Sequence, residues 1–143
     1  MATAKRFEDL DVWQRAKELT NLIYKYSKDG AFSRDFGLRD QMRRASVSIM
    51  SNIAEGFESQ TQATFIQYLG RAKGSAGELR AQLYIAHEQG YLGEEEFKTI
   101  LSLAEICSKQ LARFIQYLES QPNARRVRED GVTYDVQPST FEH

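Results

Sequence analysis

A chain of 143 residues with 19 Lys plus Arg against 20 Asp plus Glu is long enough for one hydrophobic core and too short for two comfortable ones. Its formal charge of −1 lacks the basic excess that marks a nucleic-acid binder, so electrostatics alone nominates no partner. The single cysteine, Cys107, excludes an intrachain disulfide and a Cys-rich metal site, and no apolar run approaches the ~18 residues that a membrane span needs.

Phe7 and Leu10 are expected to tuck a short leading segment against the core. Asp11, with Gln14 three residues on, approximates a capping box for a first helix over 11–27, whose apolar stripe is Trp13, Ala16, Thr20, Ile23 and Tyr24. On such a stripe Trp13 reads as a core anchor rather than a ligand-stacking residue. Lys28, Asp29 and Gly30 end that helix. A second helix over 34–55 has Ser33 as its expected cap, Asp35 facing the positive end of the dipole, and Gly56 as its stop. At about 100° per residue, Leu38, Met42, Ala45, Ile49 and Ile53 form its core stripe. Val47, Met50 and Ala54, interrupted by Arg43, make a second apolar face nearly opposite. Between the two runs a polar stripe of Arg44, Ser48, Ser51 and Glu55 with Asn52 at its edge, in which Arg44, Asn52 and Glu55 read as a polar network at a helix interface. A helix apolar on two sides calls for two partners.

Thr61 is the expected cap of a third helix over 62–89, stopped by Gly90, with Phe65, Tyr68, Leu69, Ala72, Ala76, Leu79, Leu83 and Ala86 facing the core. Gly70, Gly74, Gly77 and Ala81 follow one another at i, i+4, i+7 and i+11 on the opposite side. Each glycine costs a helix roughly 1 kcal/mol against alanine, so their alignment reads as a surface for close helix approach. The competing reading is tight packing inside the bundle. The run GRAKGSAG is no phosphate loop, since no lysine follows its second glycine and it lies inside a helix.

Tyr91 and Leu92 occupy the next turn, and Glu94, Glu95 and Glu96 sit at the positive start of a fourth helix over 94–120. Its core side is Phe97, Ile100, Leu101, Ala104, Cys107, Leu111, Ile115 and Leu118, with Leu103, Ile106 and Tyr117 outside that stripe. Cys107 therefore reads as a buried structural thiol. Pro122 marks the end, and 121–143 form a tail in which Asp130-Gly131 is a weak hairpin signal within a poorly ordered or extended segment. Short turns make neighbouring helices antiparallel.

Three separated motifs, FEDLDVWQRAKEL, QMRRASVSIMSNIAEGFE and FIQYLGRAKGSAGELRAQL, occur in that order. Together they resemble the four-helix-bundle family named for proteins encoded in 23S rRNA intervening sequences, over about Phe7 to Leu118. The resemblance implies an all-α, antiparallel up-and-down four-helix bundle over 1–120 with the tail 121–143 outside it, assembly into rings, pentamers in particular, and no established enzymatic activity. A more distant similarity links the family to accessory bundle proteins of diversity-generating retroelements, which partner a reverse transcriptase and bind nucleic acid.

His87 and His143 are the only histidines, and Tyr84 stands three residues before His87, so a two-metal carboxylate bundle with paired Glu-x-x-His motifs is excluded. Without a serine elbow or an oxyanion loop beside His87, no catalytic residue, metal, cofactor or small-molecule substrate is expected. The expected function is a non-enzymatic homo-oligomeric assembly module that contacts itself through Val47, Met50, Ala54, Gly70, Gly74, Gly77 and Ala81. The alternative is an RNA- or DNA-binding accessory protein using Arg39, Arg43, Arg71, Lys73, Arg125, Arg126 and Arg128 gathered on the oligomer. With no base-reading motif, such binding would be phosphate-driven and salt-dependent. Arg44 stands apart from that group because Glu55 shares its helical face. The lack of a membrane span and of an apolar stretch in Met1 to Lys5 makes the cytoplasm the expected compartment.

Overall fold

Apolar residues at three- and four-residue spacing recur through four long segments, and each is helical in the computed structural model, which describes residues 3–122 and 134–135. In chain order they are α1 (Asp11–Tyr26), a short α2 (Gly30–Arg34), α3 (Phe36–Glu58), α4 (Gln62–Glu88) and α5 (Glu94–Glu119), after a 3-10 turn at Phe7–Asp9. A two-residue antiparallel pairing joins β1 (Thr3–Ala4) to β2 (Tyr134–Asp135). Arg125, Arg126, Arg128 and the Asp130-Gly131 signal lie outside the described residues.

The four long helices enclose one core. α1 and α4 each pack against both α3 and α5. Phe57, Phe65 and Phe114 bring α3, α4 and α5 together edge to face, with ring centroids 6.0 Å apart for Phe57–Phe65 and 5.2 Å for Phe65–Phe114. Ala16, Leu19 and Ile23 bring in α1, and Ile49 and Leu111 are fully buried as their stripes require. Between α3 and α4, Ser48 meets Ser75 while Gly56 meets Phe65. Between α4 and α5, Tyr84 meets Phe97 while Gln62 meets Leu118. In both cases rising numbers on one helix match falling numbers on the next.

Several helix ends depart from the sequence pattern. Asp11 begins α1 but does not cap it. Its carboxylate accepts from Gln110 Nε2 at 2.6 Å and from Arg15 Nη2 at 3.3 Å, tying α1 to α5. Ser33 lies within α2, where its hydroxyl donates to the Gly30 carbonyl at 2.6 Å, and Asp35 is the cap of α3, accepting from the Leu38 amide at 3.2 Å. The Tyr91 hydroxyl donates to the other Asp35 oxygen at 3.0 Å and its ring stacks on Phe32, so the α4–α5 turn is fastened to the start of α3. That hydrogen bond, with some desolvation, holds the Tyr91 phenol above its ordinary range, so the tie persists until pH rises through that raised value. Gly56 does not stop α3, which runs on to Glu58; it is buried against α4.

Two core stripes are rotated from the expected ones. On α1 the buried set is Val12, Ala16, Leu19, Thr20 and Ile23, while Trp13 is half-buried edge-on to Phe7 and Tyr24 is 41% exposed. On α5 Leu103 and Phe114 are buried, whereas Leu101 and Ile115 are only partly so. Thr61 does cap α4, its hydroxyl accepting from the Thr64 amide at 3.1 Å. Thr61→Ala should therefore lower unfolding stability by about 1 kcal/mol in urea titration. Cys107 is buried as expected, and burial pushes its thiol up to about 12 from 9.0. The unfolded thiol ionises first, so this group favours unfolding as pH climbs above 9.0. At pH 8 the thiol should resist iodoacetamide in the native protein and react once the protein is unfolded.

Candidate functional site

Every residue of α4 that the core needs lies on one side: Phe65, Leu69, Ala72, Ala76, Leu79, Leu83 and Ala86 are fully buried. The outward stripe is bare. Gly70, Gly74 and Gly77 are exposed, a Cβ placed on any of them would meet no heavy atom of the described residues within 4 Å, and Ala81 beyond them is exposed too. Packing among the described residues thus makes no use of these glycines, in contrast to Gly56, which lies against Phe65 and Tyr68. From Gly70 to Ala81 the stripe spans about 16 Å at the helical rise. Tyr84 and Ile85, 49% and 48% exposed, continue the same helix.

The outer face of α3 is less uniform. Val47 is 39% exposed, but Met50 and Ala54 are half-buried and Met50 packs on the protein's own core. The polar groups between α3 and α4 centre on Ser48, whose hydroxyl bonds that of Ser75 at 2.8 Å. Asn52 Nδ2 donates to the Ser48 carbonyl at 2.8 Å and to its hydroxyl at 3.0 Å. Arg44 and Glu55 are both exposed, and among the described residues no hydrogen bond or ion pair joins either to Asn52 or to the other.

Of the basic residues, Arg39 donates from Nε to Asp40 at 2.9 Å and from Nη1 to the Ser33 carbonyl at 3.0 Å, with its guanidinium 4.9 Å over Phe36. Arg43 donates from Nε to Ser27 Oγ at 2.9 Å and lies 4.5 Å over the Tyr24 ring. Arg71 lies 4.9 Å over Tyr68. Lys73, two residues on, is turned by about 200° to the other flank of α4, so one copy does not gather the whole basic set. It does gather Arg43 and Arg44, which with Tyr24, Asp40 and Val47 line an open groove between α1 and α3. Sequence periodicity assigned Tyr24 to the core and so missed it as a surface group; its position next to the Lys25 and Lys28 charges was the available signal.

His87 stacks on Phe97 with centroids 4.2 Å apart, and its Nε2 lies 3.3 Å from Glu94 Oε1, which fastens the end of α4 to the start of α5. Among the described residues no group of three His, Cys, Asp or Glu is placed to hold a metal ion, and no helix is long and apolar enough to cross a membrane.

No curated protein matches the sequence. Among solved structures, the chain is similar to a protein of unknown function from the S23 ribosomal protein family of Bacteroides thetaiotaomicron VPI-5482. The two are 26% identical with a TM-score of 0.68, over 73% of this chain and 98% of that one. The model of the 23S rRNA-intervening sequence protein family matches residues 8–113, which begin just before α1 and end within α5. The chain therefore belongs to the 23S rRNA-intervening sequence protein family.

Proposed function

We propose that the protein is a non-catalytic bundle, up-and-down and antiparallel in its four long helices, that assembles with further copies of itself along the α4 stripe. The observation that carries this reading is the outward glycine run. Gly70, Gly74 and Gly77 each weaken α4 by roughly 1 kcal/mol relative to alanine, and among the described residues no atom within 4 Å of their missing Cβ positions gains from it. A helix of a second copy laid along the stripe would recover the loss through close backbone approach and dispersion contacts. Val47, with Met50 and Ala54 beside it, offers a second surface on α3. A stripe on one helix meeting a face on another is a heterologous contact, which closes into a ring when its rotation permits. Five copies is the number the family resemblance implies.

Light scattering on the purified protein at micromolar concentration tests this directly. A homo-oligomer is expected, and a monomer at that concentration overturns the proposal.

A further inference from the structure

We propose that the groove between α1 and α3 is a binding site for a phosphate oxyanion, held by Arg43 and Arg44 beside Tyr24 and Val47. It goes beyond the assembly reading and does not rest on it, since its residues come from one copy.

Arg43 is positioned before any ligand arrives. Its Nε donates to Ser27 Oγ at 2.9 Å, and Ser27 is itself fully buried with its hydroxyl proton given to the Ile23 carbonyl at 2.6 Å. One face of the guanidinium is covered by Tyr24 at 4.5 Å. With Nε and that face engaged, the donors left over are those of the two Nη atoms, in the planar fork that recognises oxyanions bidentately. Arg44, next in sequence, is exposed and has no hydrogen bond or ion pair among the described residues; the Glu55 carboxylate that shares its helical face does not hold it. Among the described residues Asp40 is the one carboxylate lining the groove, and Arg39 already pairs with it at 2.9 Å. The groove therefore carries two guanidinium groups against one carboxylate that has its own partner.

A carboxylate of a single charge has two oxygens and is satisfied by one such fork. A phosphate group carries up to two charges and at least one further acceptor oxygen, so it can occupy both arginines at once. The exposed part of Tyr24 then offers an apolar flank to the organic portion of the ligand.

The test titrates the intact protein at low salt with pyrophosphate and, separately, with a short single-stranded oligonucleotide, using Arg44→Ala, Arg43→Lys and, as a control, Lys109→Ala. Arg43→Lys keeps the charge but loses the fork and the stacking on Tyr24. Light scattering on the same samples establishes that assembly is unchanged. Both groove variants are expected to weaken binding by about tenfold or more, the scale of losing charge-assisted hydrogen bonds, while Lys109→Ala does not. If the oligonucleotide binds and responds to the two variants, alone or more tightly than pyrophosphate, the phosphate comes from a strand. If pyrophosphate alone does so, it comes from a small phosphorylated molecule. No binding of either probe, or binding that either groove variant leaves unchanged, overturns the site.

Discussion

Gly74→Leu is expected to give a fully helical protein that appears in light scattering as smaller species than the wild type. Leucine is a far better helix former than glycine, by most of 1 kcal/mol, and a Cβ at the position has no neighbour within 4 Å among the described residues. The isolated bundle should thus be as stable as before or more so. An isobutyl group set into a close backbone approach acts the other way, since overpacking costs ~1–3 kcal/mol at each contact and symmetry repeats that contact in every copy. Assembly and fold stability should therefore move in opposite directions. A wild type whose melting temperature rises with protein concentration and a variant whose melting temperature does not would show the same split thermally. If Gly74→Leu leaves the assembly size unchanged, the stripe is not where copies meet.

What could be read from the residues in order was whatever depends on helical period alone. Of the expected α3 core stripe, Met42, Ala45, Ile49 and Ile53 are buried and Leu38 is half-buried, and the glycines of α4 face outward, because a strict 3.6-residue pattern over more than twenty residues fixes rotation well. Shorter or less regular patterns left more freedom. On α1, Trp13 and Tyr24 are apolar enough to claim a core stripe, yet Leu19 and Val12, the residue before Trp13, fill the space. Aromatic side chains reach water with one end, and Tyr24 is held at the surface by Arg43, which no local rule announces.

Contacts between distant segments were illegible for a different reason. Asp11 stands where an N-cap is expected but bridges to Gln110, 99 residues away, whereas Asp35, expected in the first turn behind a Ser33 cap, takes the cap itself and also accepts from Tyr91, 56 residues away. Asp35 does both, which makes it the corner on which the start of α3 and the α4–α5 turn agree. The groove followed the same pattern. Arg43 and Arg44 are visible as a basic pair, whereas the Ser27 hydroxyl and the Tyr24 ring that orient Arg43 belong to another helix. The candidate surface on α4 was visible because absence of side chains is itself a local feature.

The contrast between Gly56 and Gly70 isolates what a glycine does in this fold, because one substitution should change stability in opposite directions at the two sites. At Gly70 an added methyl meets nothing within 4 Å among the described residues, so Gly70→Ala should strengthen the isolated chain by up to about 1 kcal/mol through helix propensity. At Gly56 the same methyl would stand 2.8 Å from Phe65 Cδ1, 2.8 Å from Tyr68 Cβ and 3.3 Å from the Phe65 carbonyl oxygen. A ring can turn slightly, but a Cβ and a carbonyl are fixed to the α4 backbone, so the two helices must separate. Separation also disturbs the edge-to-face contacts that Phe65 makes with Phe57 and Phe114. Overpacking of ~1–3 kcal/mol against a propensity gain of ~1 leaves Gly56→Ala destabilised by up to about 2 kcal/mol. Urea titration of both variants, at a protein concentration low enough that assembly does not contribute, reads the two signs. Equal gains at Gly56 and Gly70 would mean that α3 and α4 do not approach as closely as the Phe65 and Tyr68 contacts require.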